Sequence, residues 1–297
     1  MKYLLVLNPV SGGGRNHHKL NKALGYFRKK GDFVEVARTS VAGDGARVVR
    51  ARRGEFDAVI AAGGDGTIHE VIEGLAGTPT PLGILPWGTG NVFAREMSLP
   101  WRTKALCKRI RRGRVRTLDV GLADGRPFLL MVSVGLDAYT LGTMVQSRFK
   151  RLWGMASYAL AGLGALARYH YPDIQVTFDD GTTDRGGFVL VSNTRLYGAF
   201  FTFHPQADPS DGYLDVLVFR HNGRWKFLGM AFHMAWHGLM DKRGTRPAAF
   251  LSQHGIYRTK GLKIASGHQR QAQADGDFLP GGVVDIGIYP GALRVLV

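Results

Sequence analysis

The chain has 297 residues, 45% of them hydrophobic, and 39 Lys and Arg against 23 Asp and Glu, a formal net charge of +16. With 16 Phe, 10 Tyr and 5 Trp the composition excludes a disordered chain and gives room for two domains, while the charge predicts an anionic partner. The single cysteine, Cys107, excludes an internal disulfide and a cysteine metal cluster; it reads as a packing residue and suits a reducing cytosol.

In chain order, Tyr3–Leu7 reads as a buried strand stopped by Asn8-Pro9, too short for a signal sequence. A helix is expected over Lys19–Lys30, a strand over Phe33–Arg38 and a helix over Gly45–Arg53. Ala58–Ala62 follows as a strand, Ile68–Leu75 as a helix, Leu82–Leu85 as a strand, and a short helix lies near Asn91–Arg95. Short strands alternating with helices predict a parallel sheet covered on both faces, with its site at the carboxyl ends of the strands.

Three of those strand ends carry glycine loops: Asn8-Pro-Val-Ser-Gly-Gly-Gly14, Gly63-Gly-Asp-Gly-Thr67 and Pro86-Trp-Gly-Thr-Gly-Asn91. Glycine lets main-chain amides approach a phosphate closely. Asp65 would repel a bare phosphate and makes sense with a divalent cation or a hydroxyl proton between them. The Gly-x-x-x-x-Gly-Lys-Ser/Thr loop is absent, and each Gly-x-Gly pair lacks its third Rossmann glycine, at His17, His69 and Phe93. His69-Glu70 is not a zinc helix, because position 73 is Glu. His233 and His237, at i and i+4, read as packing residues.

From about residue 121 the texture changes. Leu118–Val120, Phe128–Val134, Ile174–Phe178, Phe188–Ser192, Leu214–Arg220, Leu262–Ala265, Val283–Ile288 and Leu293–Leu296 read as strands. Turn signals at Asp179-Asp-Gly181, Ser210-Asp-Gly212 and Asp275-Gly-Asp277 separate them. Helices are expected at about 140–169 and 224–240. The expected domains are 1–120, an α/β nucleotide domain, and 121–297, a mostly antiparallel β-sandwich whose last strand can return to the first domain. The active cleft is expected between them. Arg102 to Arg116 holds eight basic residues and no acid, as the solvated face of a helix and turn or as a surface drawn to anionic lipid. Nucleic acid is not expected, since no DNA- or RNA-binding signature occurs. The apolar stretch 152–167 is shorter than the ~20 residues a membrane span needs and reads as a packed helix; Arg148, Lys150 and Arg151 precede it.

Six ordered motifs then carry a resemblance: Asn8-Pro-x-Ser-Gly12, Gly63-Gly-Asp-Gly-Thr67 with Glu70, Gly88-Thr-Gly-Asn91 with Ala94-Arg95, Gly135-Leu-Asp-Ala138, Asp211-Gly-x-Leu214 and Asp275-Gly-Asp277. Together they resemble the diacylglycerol-kinase-like lipid kinases, which include bacterial diacylglycerol kinases and the sphingosine and ceramide kinases. The resemblance implies a three-layer α/β nucleotide domain, a β-sandwich domain, and transfer of the γ-phosphate of ATP, with Mg2+, to a lipid hydroxyl. It implies that Asn8, Ser11, Gly12, Arg15, Thr39, Gly63, Gly64, Asp65, Gly66, Thr67, Glu70, Gly88, Thr89 and Asn91 hold ATP. It implies a base within Asp275-Gly-Asp277, where the family's final Glu is Asp, and a second magnesium at Asp208, Asp211 and the main chain of Tyr213. Val92 stands where many members have Asp. The reading extends to a lipid substrate, a cytoplasmic enzyme held peripherally on the inner face of an anionic membrane, and room for a homodimer. Its rivals are an NAD kinase and an inactive nucleotide- or membrane-binding module.

Overall fold

The computed structural model describes residues 1–14, 16–146, 164–166, 168–170, 172–197, 201–221, 223–229, 254–266, 271–282 and 285–297. Arg15, Arg148, Lys150, Arg151, most of the apolar stretch 152–167, His233 and His237 lie outside them, as does most of the helix expected at 224–240 beyond the helical residues 224–229. The chain divides into two compact units, Met1–Val120 with Tyr289–Val297, and Gly121–Ile288.

The first unit alternates strand and helix: β1 (Lys2–Leu7), α1 (His17–Lys29), β2 (Phe33–Arg38), α2 (Asp44–Arg52), β3 (Ala58–Gly63), α3 (Asp65–Leu75) and β4 (Leu82–Pro86). Two further helices follow, α4 (Val92–Glu96) and α5 (Thr103–Arg112), and then β5 (Val115–Ala123) begins. The parallel order is β2-β1-β3-β4. Residues 3–7 of β1 and all of β3 are buried, so water is excluded from both faces of the sheet. Parallel crossovers are right-handed. The chain steps one way from β1 to β2 and the other way from β2 through β3 to β4, which places α1 opposite α2 and α3. Accordingly α1 packs with α5 and α2 with α3, and at Gly74 a methyl would lie 2.5 Å from Val49 Cγ1.

The second unit contains β6 (Arg126–Phe128), β7 (Met131–Val134), α6 (Leu136–Gln146), β8 (Ile174–Phe178), β9 (Thr183–Gly186), β10 (Phe188–Ser192) and the short pair β11 (Leu196–Tyr197) and β12 (Phe201–Thr202). It continues with β13 (Leu214–Phe219), β14 (Gly255–Thr259), β15 (Gly261–Ser266), β16 (Gln271–Ala274), β17 (Asp277–Pro280) and the first part of β18 (Asp285–Leu296). One antiparallel sheet runs β14-β13-β10-β7-β16-β17; facing it are β18-β15-β8-β9, with β6 paired to β5. Alternate residues of these strands fill one core: Val132 and Val134, Ile174 and Val176, Val189 and Val191, Leu214, Val216 and Val218, Leu262 and Ile264, Ala272 and Ala274. Period-two burial from two antiparallel sheets is the signature of a sandwich.

Some boundaries differ from the sequence reading. Phe128–Val134 is not one strand: it breaks into β6 and β7, because the amides of Leu129 and Leu130 bond to the Asp275 carboxylate and not to a neighbouring strand. Of the expected strand Val283–Ile288, residues 283 and 284 lie outside the described residues; the rest is joined to Leu293–Leu296 in one strand, β18, where Gly291, at φ +62, donates its amide to Asp119. The helix expected at about 140–169 begins earlier, at Leu136.

Candidate functional site

Because the sheet order reverses between β1 and β3, the connections leaving these strands turn to opposite faces and open a crevice at their carboxyl ends, where open α/β sheets bind ligands. The loops after β1, β3 and β4 meet there. Trp87 N donates to Gly63 O (2.8 Å) and Asn8 N to Ala62 O (3.2 Å). Asn16 Nδ2 donates to Ser11 O (2.7 Å) and Trp87 O (3.3 Å), tying the first loop to the third. Gly12 adopts φ +60, and a methyl there would lie 2.4 Å from Trp87 O. A methyl on Gly88 would lie 2.3 Å from Gly64 Cα. The glycines at 12, 64 and 88 are therefore close-approach residues between loops.

At the centre is the N-terminus of α3. Gly64 caps it in extended conformation without a side-chain hydrogen bond, and the first helical turn begins as Ile68 N reaches Gly64 O (3.1 Å). The main-chain amides of Asp65, Gly66 and Thr67 thus lack intrahelical acceptors and concentrate positive potential at the loops. Asp65 Oδ1 accepts from Phe93 N (3.2 Å), and its Oδ2 lies against the third loop, 3.2 Å from where a Gly90 Cβ would stand. Asn91 is left-handed (φ 48) and closes that loop on itself, accepting from Gly88 N (3.0 Å) and donating to Gly88 O (2.8 Å). Val92 begins α4 beside it.

Other expected ligands have structural partners. Asn8 Oδ1 accepts from Val10 N (3.1 Å), and the Thr39 hydroxyl donates to Leu7 O (3.4 Å). The Glu70 carboxylate accepts from Gly43 N (3.0 Å) and Gly45 N (2.9 Å), so it clamps the start of α2 to α3. Ser11 and Gly12 lie in the first loop and Thr89 in the third. A shallow cavity lined by Leu7, Pro9, Asn16, His17, Leu20 and Arg38 opens beside them.

In the second unit, Asp275 and Gly276 form a two-residue hairpin loop between β16 and β17, both with positive φ (50 and 89), the geometry that favours Asp-Gly. Asp275 Oδ1 accepts from Leu130 N (2.8 Å) and Met131 N (2.9 Å), and Oδ2 from Leu129 N (2.6 Å). Three amides fix the orientation of that carboxylate. Asp277 follows at the start of β17, exposed. Beneath the turn is Asp137, which the sequence reading gave no role. Loss of water raises its pKa, while bonds from Ser133, Tyr197, Ala138 and Gln273 pull it back.

The turn expected to hold a second magnesium is differently engaged. Asp208 Oδ1 accepts from Ser210 N (3.1 Å) and Oγ (2.6 Å), and Asp211 Oδ1 from Tyr213 N (3.0 Å). Asp211 Oδ2 pairs with Arg258 (2.5 Å), whose guanidinium lies 4.6 Å from the Tyr213 ring centre. Among the described residues no group of three or more His, Cys, Asp or Glu is set to hold a metal ion. The guanidinium already balances the carboxylate that a cation would face, so this arrangement does not fit a resident magnesium. Nearby Asp215 is pushed up to about 6, by burial first, with Arg258 opposing and Asp211 adding to the rise.

Comparison with known proteins matches this architecture. The family model described as the diacylglycerol kinase catalytic domain matches residues 2–123, and the one described as the YegS C-terminal NAD kinase beta sandwich-like domain matches 130–297. The chain belongs to the diacylglycerol kinase family. As a member it is a lipid kinase. It is 30% identical to a diacylglycerol kinase of Bacillus subtilis (strain 168) over 295 residues, covering 95% of this chain and 92% of the relative. It is likewise 30% identical to a diacylglycerol kinase of Mycobacterium tuberculosis (strain CDC 1551 / Oshkosh), covering 99% and 94%. A crystal structure of a diacylglycerol kinase from Bacillus anthracis str. Sterne shares the fold, with a TM-score of 0.73, 23% identity and coverage of 99% and 96%.

Proposed function

We propose that this lipid kinase phosphorylates diacylglycerol, using ATP as its magnesium complex. The observation that carries the reading is the meeting of three glycine loops around the unsatisfied amides of α3, with a carboxylate, Asp65, among them. The amides of Asp65, Gly66 and Thr67 would bind the phosphate to be transferred. Magnesium here is part of the donor: it takes one or two carboxylates and fills its remaining positions with phosphate oxygens and water. Asp65 is the carboxylate that would face it. A carboxylate of Asp275-Gly-Asp277 would accept the proton of the lipid hydroxyl. Catalysis of this kind is positioning and charge neutralisation, with little covalent work for the protein. Two full-length relatives at 30% identity that are themselves diacylglycerol kinases support diacylglycerol over ceramide or a sphingoid base.

The acceptor lives in a membrane, and no helix among the described residues is long and apolar enough to cross one. The basic helix pair α1 and α5 supports peripheral attachment. The two pack together and contain no acidic residue, whereas α2 and α3 hold Asp44, Asp65, Glu70 and Glu73. Trp101, largely exposed before α5 with the Arg95 guanidinium 5.0 Å from its ring centre, is of the type that settles at lipid interfaces. An acceptor screen tests the proposal: diacylglycerol, ceramide, sphingosine and NAD are offered with ATP and the products weighed by mass spectrometry. Phosphorylated diacylglycerol is expected. Phosphorylated NAD without any lipid product would contradict it.

A further inference from the structure

We propose that Asp137 is a positioning residue for the turn that carries Asp275 and Asp277, acting through Gln273. The inference rests on the reading of that turn as the proton-accepting side of the kinase. Ser133 on β7 and Gln273 on β16 lie directly opposite each other in antiparallel register, and both are buried, at 0% and 4% exposure. Asp137 sits in the first turn of α6.

The hydrogen bonds form a chain with one direction. Gln273 Oε1 accepts from Gly276 N (2.8 Å), which fixes how its amide is turned. A reversed amide would set two donors against each other. Gln273 Nε2 therefore donates to Ser133 Oγ (2.8 Å) and Asp137 Oδ2 (3.4 Å). With one lone pair so occupied, the Ser133 hydroxyl donates to Asp137 Oδ2 (2.5 Å), as does Tyr197 OH (2.8 Å). Asp137 Oδ1 accepts from Ala138 N (2.7 Å). Every run of donors, from Gly276 through Gln273 and Ser133 and from Tyr197, leads to Asp137, so the carboxylate sets the polarity of the network.

The catalytic consequence follows from which peptide is held. Asp275 is anchored at its own amide, which donates to Met131 O (3.0 Å), and at its carboxylate. The Gly276 N–H belongs to the next peptide, so Gln273 sets the tilt at which the chain leaves Asp275 for Asp277. Buried polar networks are kept in register only when every member is satisfied, and misplacement of a reacting group by ~1 Å can cost ~100-fold in rate.

The test compares ATP-dependent phosphorylation of diacylglycerol in mixed micelles by the full chain and its variants. Asp137→Asn and Gln273→Glu each break the polarity, and each is expected to lower kcat by about 10- to 100-fold with the KM for ATP within about twofold of wild type. Combining them reverses the chain: the amide at 137 donates to a carboxylate at 273 that still accepts the Gly276 amide. The double variant is expected to regain at least about tenfold over either single change. Tyr197→Phe, which removes one donor and keeps the ring, covers the case in which the core substitutions unfold the chain; it is expected to lower kcat about three- to tenfold. Wild-type kcat in the single variants, a double variant no better than the product of its singles, or an unaltered Tyr197→Phe would overturn the proposal. A wild-type chain that labels no lipid overturns the proposed function together with this inference, whereas an active wild type with independent variants overturns the inference alone.

Discussion

Gly88 and Gly64 show how little room the glycine loops leave each other. A methyl on Gly88 would lie 2.3 Å from Gly64 Cα, and backbone cannot swing aside as a side chain can. Gly88→Ala is expected to destabilise the chain by about 1–3 kcal/mol and to raise the KM for ATP, read by denaturant unfolding and steady-state kinetics. Gly25, inside α1, has nothing within 4 Å of the position a methyl would take. There, alanine is expected to stabilise by roughly 0.5–1 kcal/mol in the same unfolding assay, because the helix gains propensity without a clash. Asp65, Gly64 and Gly88 were legible in the sequence, since a strand that breaks on glycine and acid is a local pattern. The partners of Glu70 and Asp275 were not. Glu70 holds amides 27 and 25 positions before it, and Asp275 holds amides 144 to 146 positions before it. Only the folded chain brings such groups together.

At the scale of elements, apolar periodicity revealed the strands that fill cores. Phe188–Ser192, rich in β-branched and aromatic residues, coincides in both readings and is buried throughout; Phe33–Arg38 coincides as well, although none of its residues is buried. β16 and β17 were missed: Gln271-Ala-Gln-Ala274 has no β-branched residue, and its place in the sheet comes from the Asp-Gly turn and the network under it. The arrangement of α1 against α5 was equally hidden, although the basic run of α5 was plain. That pairing predicts a salt-sensitive surface. Reversing Lys104 and Lys108 to Glu, both exposed on α5, is expected to weaken sedimentation with phosphatidylserine vesicles about tenfold or more, at ~1 kcal/mol per basic residue near anionic lipid. Binding to neutral vesicles should hardly change. Equal loss from both vesicle types would argue against an electrostatic face.

The whole molecule carries a pH dependence set by buried groups in the sandwich unit. Burial pushes His204 down to about 4, with a bond to Val216 acting the other way, and burial likewise holds His254 at about 4, helped by His221 and Arg220. An unfolded chain protonates both at the ordinary histidine value, so the folded state is favoured above pH 6.5 and loses that advantage as pH falls towards 4. Asp215 works in the opposite sense. Its proton persists in the fold up to about 6, so its contribution is present below the ordinary carboxylate value and is lost as pH rises through 6. Asp137, which burial also raises, acts in the same sense as Asp215, but bonds from four donors pull it back, so the two histidines set the slope. Stability from urea unfolding is therefore expected to fall between pH 6.5 and 4, and His204 alone accounts for roughly 3 kcal/mol of that at ~1.4 kcal/mol per unit. His204→Gln should flatten the slope. The chain divides into compact units after Val120, where the strand texture of the sequence changes, and Tyr289–Val297 belongs to the first unit, with Val295 paired to Leu82.

We propose above that the glycine loops and Asp65 present the γ-phosphate of ATP to a lipid hydroxyl. Transfer of label from [γ-32P]ATP to diacylglycerol by the purified wild type, set beside Asp65→Ala, tests it most directly. Labelled lipid is expected from the wild type and at least about a hundredfold less from the variant, with both proteins folded. Labelling that survives Asp65→Ala, or a folded wild type that transfers no phosphate to any lipid, would contradict it.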